Sequence, residues 1–437
     1  MKKNNIRDIR HKISNITKNA RSSRLFKDST WALFGNTVGR GMSLLSGMVV
    51  ARFLGSSAFG EFGLIKSSLL TIATFSAFGL GYTTTKFIAE NKGKSNEQLY
   101  SIHITATSIT IIFSITIAVL TALFSNWIAI FLKAPNLGLE LRLMAIGIVL
   151  NALITTQNGE LAGFKAYKQI AKNTTYYGIF TFIASVPLSY IFGIAGALIA
   201  LLLSLTFNCI LNAITLKQFL TSEKPMRLNT RYIKELIAFS LPIALQEVLY
   251  SVSSWSGSII IIFLSSYDQL GLYSAASQWY AVILFVPGAL RNVALSHLAE
   301  NTNNSQAANR IVKQLIKFNF GSTIIPFIVI TCLSKFIAQC YGESFSSLPP
   351  VLSAMTLYAV ISSLAGVQKQ DLLAHGYNWF LFLTNVAYYI VSLTTAYFLI
   401  KIWGHAALNY ALSGLVCTVV YLLVINAKRK TIYKHQL

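Results

Sequence analysis

The sequence predicts an all-α fold: a polytopic membrane protein of about twelve transmembrane helices, in two pseudo-symmetric six-helix lobes related by an axis along the membrane normal. Three observations predict it. Of 437 residues, 54% are hydrophobic and 11% charged, where a soluble domain carries roughly 25% charged residues; the mean hydropathy is +0.57. Apolar windows of about 20 residues, long enough to cross a bilayer as helices, recur along almost the whole chain. Two stretches about 210 residues apart are near copies: Phe53-Leu54-Gly55-Ser56-Ser57-Ala58-Phe59-Gly60-Glu61-Phe62-Gly63-Leu64 and Phe263-Leu264-Ser265-Ser266-Tyr267-Asp268-Gln269-Leu270-Gly271-Leu272-Tyr273. The offset recurs at Ala89-Glu90 against Ala299-Glu300 and at Ala197-Leu198 against Ala407-Leu408, so two homologous halves are expected.

Residues 1–29 form a basic segment in which Ile6, Ile9, Ile13 and Ile16 stand at helical spacing. Either a surface helix on anionic headgroups or a topogenic tail fits that pattern. The segment lacks the apolar core of a signal peptide, so the first span is expected to insert uncleaved. The N-terminal lobe, 30–216, takes spans near 30–54, 60–82, 100–124, 140–162, 174–192 and 195–216. The longest internal polar stretch, 217–235, contains Lys224-Pro225 and Asn229 and is expected to be a cytoplasmic linker. The C-terminal lobe, 236–426, takes spans near 236–264, 270–292, 318–340, 350–372, 379–400 and 404–426, followed by a basic cytoplasmic tail at 427–437. Such long continuous runs exclude the ten-residue alternating strands of an outer-membrane barrel.

The net charge of +22 resembles a nucleic-acid signal until the charges are placed along the spans. With the N-terminus in the cytoplasm, 28 Lys and Arg fall on the inner face and five (Arg52, Lys133, Arg142, Lys335, Lys401) on the outer; Arg40, Lys66 and Arg291 complete the 36. This is the positive-inside pattern, and it supports an even number of spans with both termini cytoplasmic. No nucleic-acid partner is expected. The outer loops, largest around 125–139 and 341–350, are too short for a catalytic domain. The sequence holds no HExxH, no P-loop and no CxxC among Cys209, Cys332, Cys340 and Cys417. No enzyme activity, metal or cofactor is expected.

Four charges fall inside the spans: Arg40 in the first, Lys66 in the second, Glu247 in the seventh and Arg291 toward the inner end of the eighth. An ionised side chain at the bilayer centre costs at least ~2.5–3.5 kcal/mol, so these should face a wet cavity or a partner. Three bases against one acid make that cavity positive, and an anion is its natural complement. Asn36, Arg40, Ser43 and Gly47 form one polar, small face of the first span, and Gly63, Lys66, Ser67 and Thr74 do likewise on the second. Asn36, Tyr177, Tyr250, Gln278, Trp279, Asn385 and Tyr388, with Tyr280 beside them, are candidate ligand contacts through hydroxyls, amides and aromatic faces. The same stripes also pack membrane helices. Lys66 would snorkel to the interface if its span boundary lay one turn away. Glu247 either pairs with Arg40 or Arg291 or carries a coupling proton or cation.

The segment Ala51-Arg52-Phe53-Leu54-Gly55 to Phe59-Gly60-Glu61-Phe62-Gly63-Leu64 after a first span resembles a signature region of bacterial polysaccharide-export flippases. These belong to the multidrug/oligosaccharidyl-lipid/polysaccharide exporter superfamily. Gly271-Leu272-Tyr273-Ser274-Ala275-Ala276 and Gly159-Glu160-Leu161-Ala162-Gly163-Phe164-Lys165 are similar to other landmarks of the family, and the resemblance covers about residues 29–426. It implies a two-lobed transporter of the bacterial inner membrane that moves lipid-linked oligosaccharide repeat units, as for O-antigen or capsule, by alternating access. The resemblance also implies sugars as what the candidate ligand contacts would touch. The implied partners are that substrate, membrane lipids and other polysaccharide assembly proteins. Twelve spans fit repeat-unit flippases better than lipid II flippases, which typically carry two more. The rival is a cation-coupled multidrug exporter of the same superfamily. Drug exporters usually place an acid in the N-terminal lobe, whereas here Glu160 is expected only at a span end, which counts against the rival.

Overall fold

Gly55 and Gly193 decide how the two longest helices cross a membrane. The structure, a computed structural model, describes residues 24–435 except 92, 94–95, 135–137, 221–229, 289, 291–297 and 299–304. The basic segment 1–23 and residues 221–229 of the expected linker therefore lie outside the described residues. Helix α1 (Arg24–Ala77) has 54 residues, about 80 Å of helix at 1.5 Å per residue, against a hydrocarbon core of about 30 Å. It is bent at Gly55, whose φ of 76° and ψ of 172° are open to glycine and strained for other residues. One helix thus supplies two crossings. After α2 (Leu80–Asn91), α3 (Asn96–Leu123), α4 (Ser125–Phe131) and α5 (Gly138–Gly163), the 51-residue α6 (Tyr167–Lys217) repeats the device at Gly193, with φ 57° and ψ −133°.

The C-terminal half follows with α7 (Thr230–Leu264), α8 (Tyr267–Ile283), α9 (Ser305–Cys332), α10 (Ser334–Tyr341), α11 (Leu348–Ala374), α12 (Asn378–Trp403) and α13 (Ala406–His435). No strand occurs among the described residues. Nine of the described helices are long and apolar enough to span, and the two bent ones hold two crossings each, giving eleven. Helix α8, in the window expected for the eighth span, turns at Leu284 and runs on into residues 285–288.

Two spans sit differently from their expected windows. The second ends at Ala77, where Phe78 and Gly79 turn with φ of 46° and 66° before α2 begins. The ninth is α9, beginning thirteen residues before its apolar window and ending at Cys332, with α10 a separate short helix after the turn at Leu333. The first turn lies between Ala77 and Leu80, and the second is interrupted only by Ser334 and Lys335 within an otherwise apolar run, so hydropathy reads through both. The lysines at 313 and 317 ride on the polar first turns of α9, which no apolar window could include.

Within the N lobe α1 packs chiefly on α6 and α5, and α3 on α5; within the C lobe α11 packs on α13 and α9, and α12 on α13. The lobes meet mainly where α1 packs on α8 and α7. Their apolar cores reveal the shape. One cluster joins Val50, Ala51 and Phe59 of the N lobe to Leu272, Ala275, Tyr341 and Phe345 of the C lobe. A second joins Leu64 and Leu69 to Ile261, Leu270 and Ile400. At the opposite end, Ile88, Ile102, Leu161 and Leu216 cluster within the N lobe, and Leu372, Leu381 and Ile425 within the C lobe. The lobes are welded at the Gly55 end; at the other end each has its own core, and the C-lobe helix α7 crosses between them, burying Leu236 beside Leu80, Ala106 and Ile109 of the N lobe.

Candidate functional site

The two near-copies noted in the sequence meet each other at the welded end. Gly60 on α1 faces Tyr267 and Gly271 on α8; a Cβ on Gly60 would lie 3.0 Å from the Gly271 nitrogen. A Cβ on Gly271 would lie 2.8 Å from the Ser56 carbonyl carbon. Each glycine thus lets the other helix's backbone approach, as small residues do in membrane bundles. Polar contacts lock the crossing: Ser56 Oγ donates to Asp268 Oδ1 at 2.6 Å, and the Ser56 amide donates to Ser344 Oγ at 3.1 Å. Arg52 Nη1 reaches the Gln339 and Cys340 carbonyls, each at 3.4 Å, at the C-terminal end of α10.

Below this seal lies a cavity of about 220 Å³ between α1, α6 and α8. Arg40 and Lys66 both line it, with Ser43, Gly47, Tyr177 and Gln278. The Arg40 guanidinium sits over the Phe285 ring, 4.7 Å from its centroid, so an N-lobe cation rests on a C-lobe aromatic face. Gly47 leaves room for the Gln278 amide, 2.9 Å from the carbon of which a Cβ would fall. The cavity carries no acid among its lining residues. A guanidinium and an ammonium facing one space suit a phosphate or diphosphate, the first as a two-pronged donor, the second as a point charge.

A larger cavity of about 380 Å³ opens on another face of α8, within the C lobe. Six tyrosines line it: Tyr250, Tyr280, Tyr358, Tyr388, Tyr389 and Tyr421. Tyr358 and Tyr388 share a hydrogen bond at 2.9 Å, Tyr388 and Thr418 another at 2.9 Å, and Tyr421 donates to Asn385 Oδ1 at 3.0 Å. Lys369 is the sole charged residue among the described residues that line it. Asn319 and Gln370, 6% and 4% exposed, also line it, and their carbonyl oxygens have no hydrogen-bond partner among the described residues. Buried acceptors left open cost free energy unless a donor arrives. Hydroxyl groups are such donors, and tyrosine rings offer flat apolar faces beside them.

The remaining sequence candidates fall elsewhere. Trp279 is packed in the core that joins the lobes, its Nε1 donating to the Tyr341 hydroxyl at 3.2 Å, and it lines neither cavity. Asn36 and Glu247 are half-buried and also line neither. Arg291 lies outside the described residues. Glu160 stands in the last turn of α5 yet is 0% exposed, with both carboxylate oxygens 2.9 Å from His103 Nδ1. It is thus at a span end, as expected, and what the sequence did not show is its complete burial against His103. Sequence inspection placed Glu160 by hydropathy alone, and hydropathy does not show that His103 on α3 closes over it.

The profile of the family described as polysaccharide biosynthesis protein matches residues 49–319. The chain belongs to that family. Over 402 residues it is 23% identical to the EPS I polysaccharide export inner membrane protein EpsE of Ralstonia solanacearum, covering 87% of this chain and 88% of that one. A shorter alignment with the Ralstonia nicotianae protein of the same name covers 46% of it. A Shigella flexneri protein named as an O-antigen transporter is 21% identical over 391 residues, covering 87% and 92%. Among solved structures, an inward-facing multidrug resistance MATE family transporter superimposes with a TM-score of 0.77 at 15% identity, covering 90% of this chain and 96% of that one. The lipid II flippase MurJ in an inward closed conformation gives 0.73 at 16% identity, covering 91% and 87%. The resemblance read from the sequence is borne out: this polysaccharide biosynthesis family member has the two-lobed all-α fold of the exporter superfamily. The curated relatives are named for export and transport, and the solved structures that share the fold are titled as a transporter and a flippase.

Proposed function

We propose that this family member translocates polyprenyl-diphosphate-linked oligosaccharide repeat units across the bacterial inner membrane, by alternating access of its two lobes and with coupling to a cation gradient. The observation that carries the proposal is the contrast between the two cavities on α8. The N-lobe cavity joins Arg40 and Lys66 without an acid, and the C-lobe cavity offers six tyrosines and open amide acceptors. A molecule with an anionic diphosphate at one point and neutral hydroxyls beyond it complements both. The names of the Ralstonia and Shigella relatives support the same substrate class.

In this proposal the lobes span 30–216 and 236–426, joined by the linker 217–235, and both termini are cytoplasmic, as the basic asymmetry favours. The welded end then faces outward, and the molecule stands open to the cytoplasm. Arg291 is assigned to the same cationic set as Arg40 and Lys66, and Glu247 is kept as a coupling candidate. Tyr177 and Gln278 near the cations and Tyr250, Asn385 and Tyr388 in the tyrosine cavity are assigned to the sugar. Trp279 is not. Lipids and other polysaccharide assembly proteins are the expected partners. The multidrug-exporter alternative needs an acid facing a cationic drug, and the described residues lining the two cavities include none.

Deletion of the chain followed by analysis of lipid-linked sugars tests the proposal. Repeat units held on polyprenyl diphosphate at the cytoplasmic face are the expected result. Unchanged lipid-linked sugars together with altered drug tolerance would assign the chain to the exporter class instead.

A further inference from the structure

We propose that His103 and Glu160 form a proton-binding site whose occupancy sets which way the two lobes open. The inference rests on the transporter reading but not on the identity of the substrate.

Among the described residues each lobe buries one acid near the inner end of its fourth span, Glu160 at 0% and Asp371 at 1% exposure. In the C lobe, Arg429 Nε donates to Asp371 Oδ2 at 2.6 Å and Arg429 Nη2 to Asn309 Oδ1 at 2.6 Å. The Tyr433 hydroxyl adds a bond to Asp371 Oδ1 at 3.0 Å, and His375 Nδ1 lies 3.5 Å from the same oxygen. An arginine keeps its proton at any working pH, so this acid stays neutralised. The corresponding acid of the N lobe has a histidine instead. With His103 protonated and Glu160 ionised, the pair carries no net charge. Release of the imidazole proton to water leaves one negative charge at a site without solvent exposure, which burial strongly disfavours. The His103 side chain is 24% exposed, and that edge is where a proton enters and leaves.

The site is placed to sense lobe motion. His103 stands between Ile102, which clusters with Leu99 and Leu161, and Ala106, which clusters with Leu80 and Ile109. The C-lobe helix α7 packs Tyr232 against both clusters and buries Leu236 in the second. Its Ser240 Oγ is also 2.7 Å from Thr83 Oγ1 on α2. A change of lobe angle therefore changes the cover over the pair, and the proton binds more tightly in the covered state. The other charged or titratable groups on the elements packed there are Lys86 and Glu90 on α2, which pair with each other at 3.8 Å. Glu97 and Tyr100 lie on α3 itself, with Tyr100 6.1 Å from the His103 ring. Tyr82 also lies on α2, Glu140 and Arg142 at the far end of α5, Tyr167, Lys168 and Lys172 at the start of α6, Tyr176, Tyr177, Tyr190 and Cys209 farther along it and Lys217 at its end beside Leu216, and Tyr232, Lys234, Glu235, Glu247 and Tyr250 on α7.

The test uses the full chain in nanodiscs, with the four cysteines replaced and spin labels at Gln98 on α3 and Gln314 on α9, which report the separation of the lobes at their unwelded end. A proton linked one-to-one to opening changes the ratio of the two states by up to tenfold per pH unit. Raising the pH from 5.5 to 8 is expected to deplete the state described here. The double variant His103→Gln, Glu160→Gln keeps a neutral hydrogen-bonding pair and should show the same distances at every pH. His375→Gln should retain the wild-type response. A pH-independent wild type, or a double variant that still responds, would overturn the assignment. Because no substrate is present, neither outcome bears on the flippase proposal, which the lipid-linked sugar analysis decides separately.

Discussion

The crossing of Gly60 and Gly271 offers the sharpest test of how the lobes are held together. A methyl group on Gly271 would sit 2.8 Å from the Ser56 carbonyl carbon. Ordinary carbon–carbon contact needs roughly 3.5–4.0 Å, so the two helices must part by on the order of 1 Å. Rigid backbone stands on both sides, and no side-chain rotation can relieve the overlap. Overpacking of this kind costs about 1–3 kcal/mol, and the cost falls only on the state in which the helices touch. The closed-to-open ratio at this end should therefore fall by about 5- to 150-fold. The same separation would stretch the Ser56–Asp268 and Ser56–Ser344 hydrogen bonds. Spin labels at Ser57 and Ser346, in a background without the native cysteines, would read the change as a longer and broader distance distribution for Gly271→Ala. Gly60→Ala should act alike, and the double variant should add little, because either methyl already parts the pair. Unchanged distances in both single variants would refute the close crossing.

Three further outcomes follow from the geometry. Arg40→Ala should abolish surface polysaccharide at normal protein level and membrane insertion, and Lys66→Ala should weaken it; wild-type yield in Arg40→Ala would remove the anion-site argument. Paired substitution of Asn319 and Gln370 by Leu satisfies no hydroxyl but fills the same space, so polysaccharide yield should drop while the melting temperature in detergent holds or rises; unchanged yield would take the sugar out of that cavity. Asp371→Asn removes the charge facing Arg429, and loss of one partner from a buried pair costs about 3–5 kcal/mol, so a clear drop in melting temperature is expected, and an unaltered one would show that the pair is not stability-bearing.

The structure locates the sequence-derived candidates unequally. Arg40 and Lys66 stand 26 positions apart on α1, and the bend at Gly55 folds them onto one cavity, as their two polar stripes anticipate. Tyr250 and Tyr388 come together because both are on helices lining the C-lobe cavity, yet Tyr358, Tyr389 and Tyr421 carry no sequence signal that separates them from core aromatics. Trp279 and Gln278 are neighbours in sequence and point to different places, Gln278 to the cationic cavity and Trp279 to the core. On a helix, adjacent residues diverge by about 100°, so only knowledge of which face meets which neighbour assigns them.

Hydropathy and the 210-residue repeat suffice for the all-α polytopic class and the doubling into lobes, because these depend on solvent preference along the chain and on local backbone geometry. Tertiary structure alone decided what those elements touch. It brought the two copies of the repeated motif face to face, paired Glu160 with His103 but Asp371 with Arg429, and split the polar residues of α8 between two cavities. The physical reason is that an electrostatic or packing partner is set by distance in space, and in a bundle of long helices residues far apart in the chain lie within a few ångströms. The repeated motif accordingly predicts the lobes by its existence, and explains their closure only through the contact of its glycines.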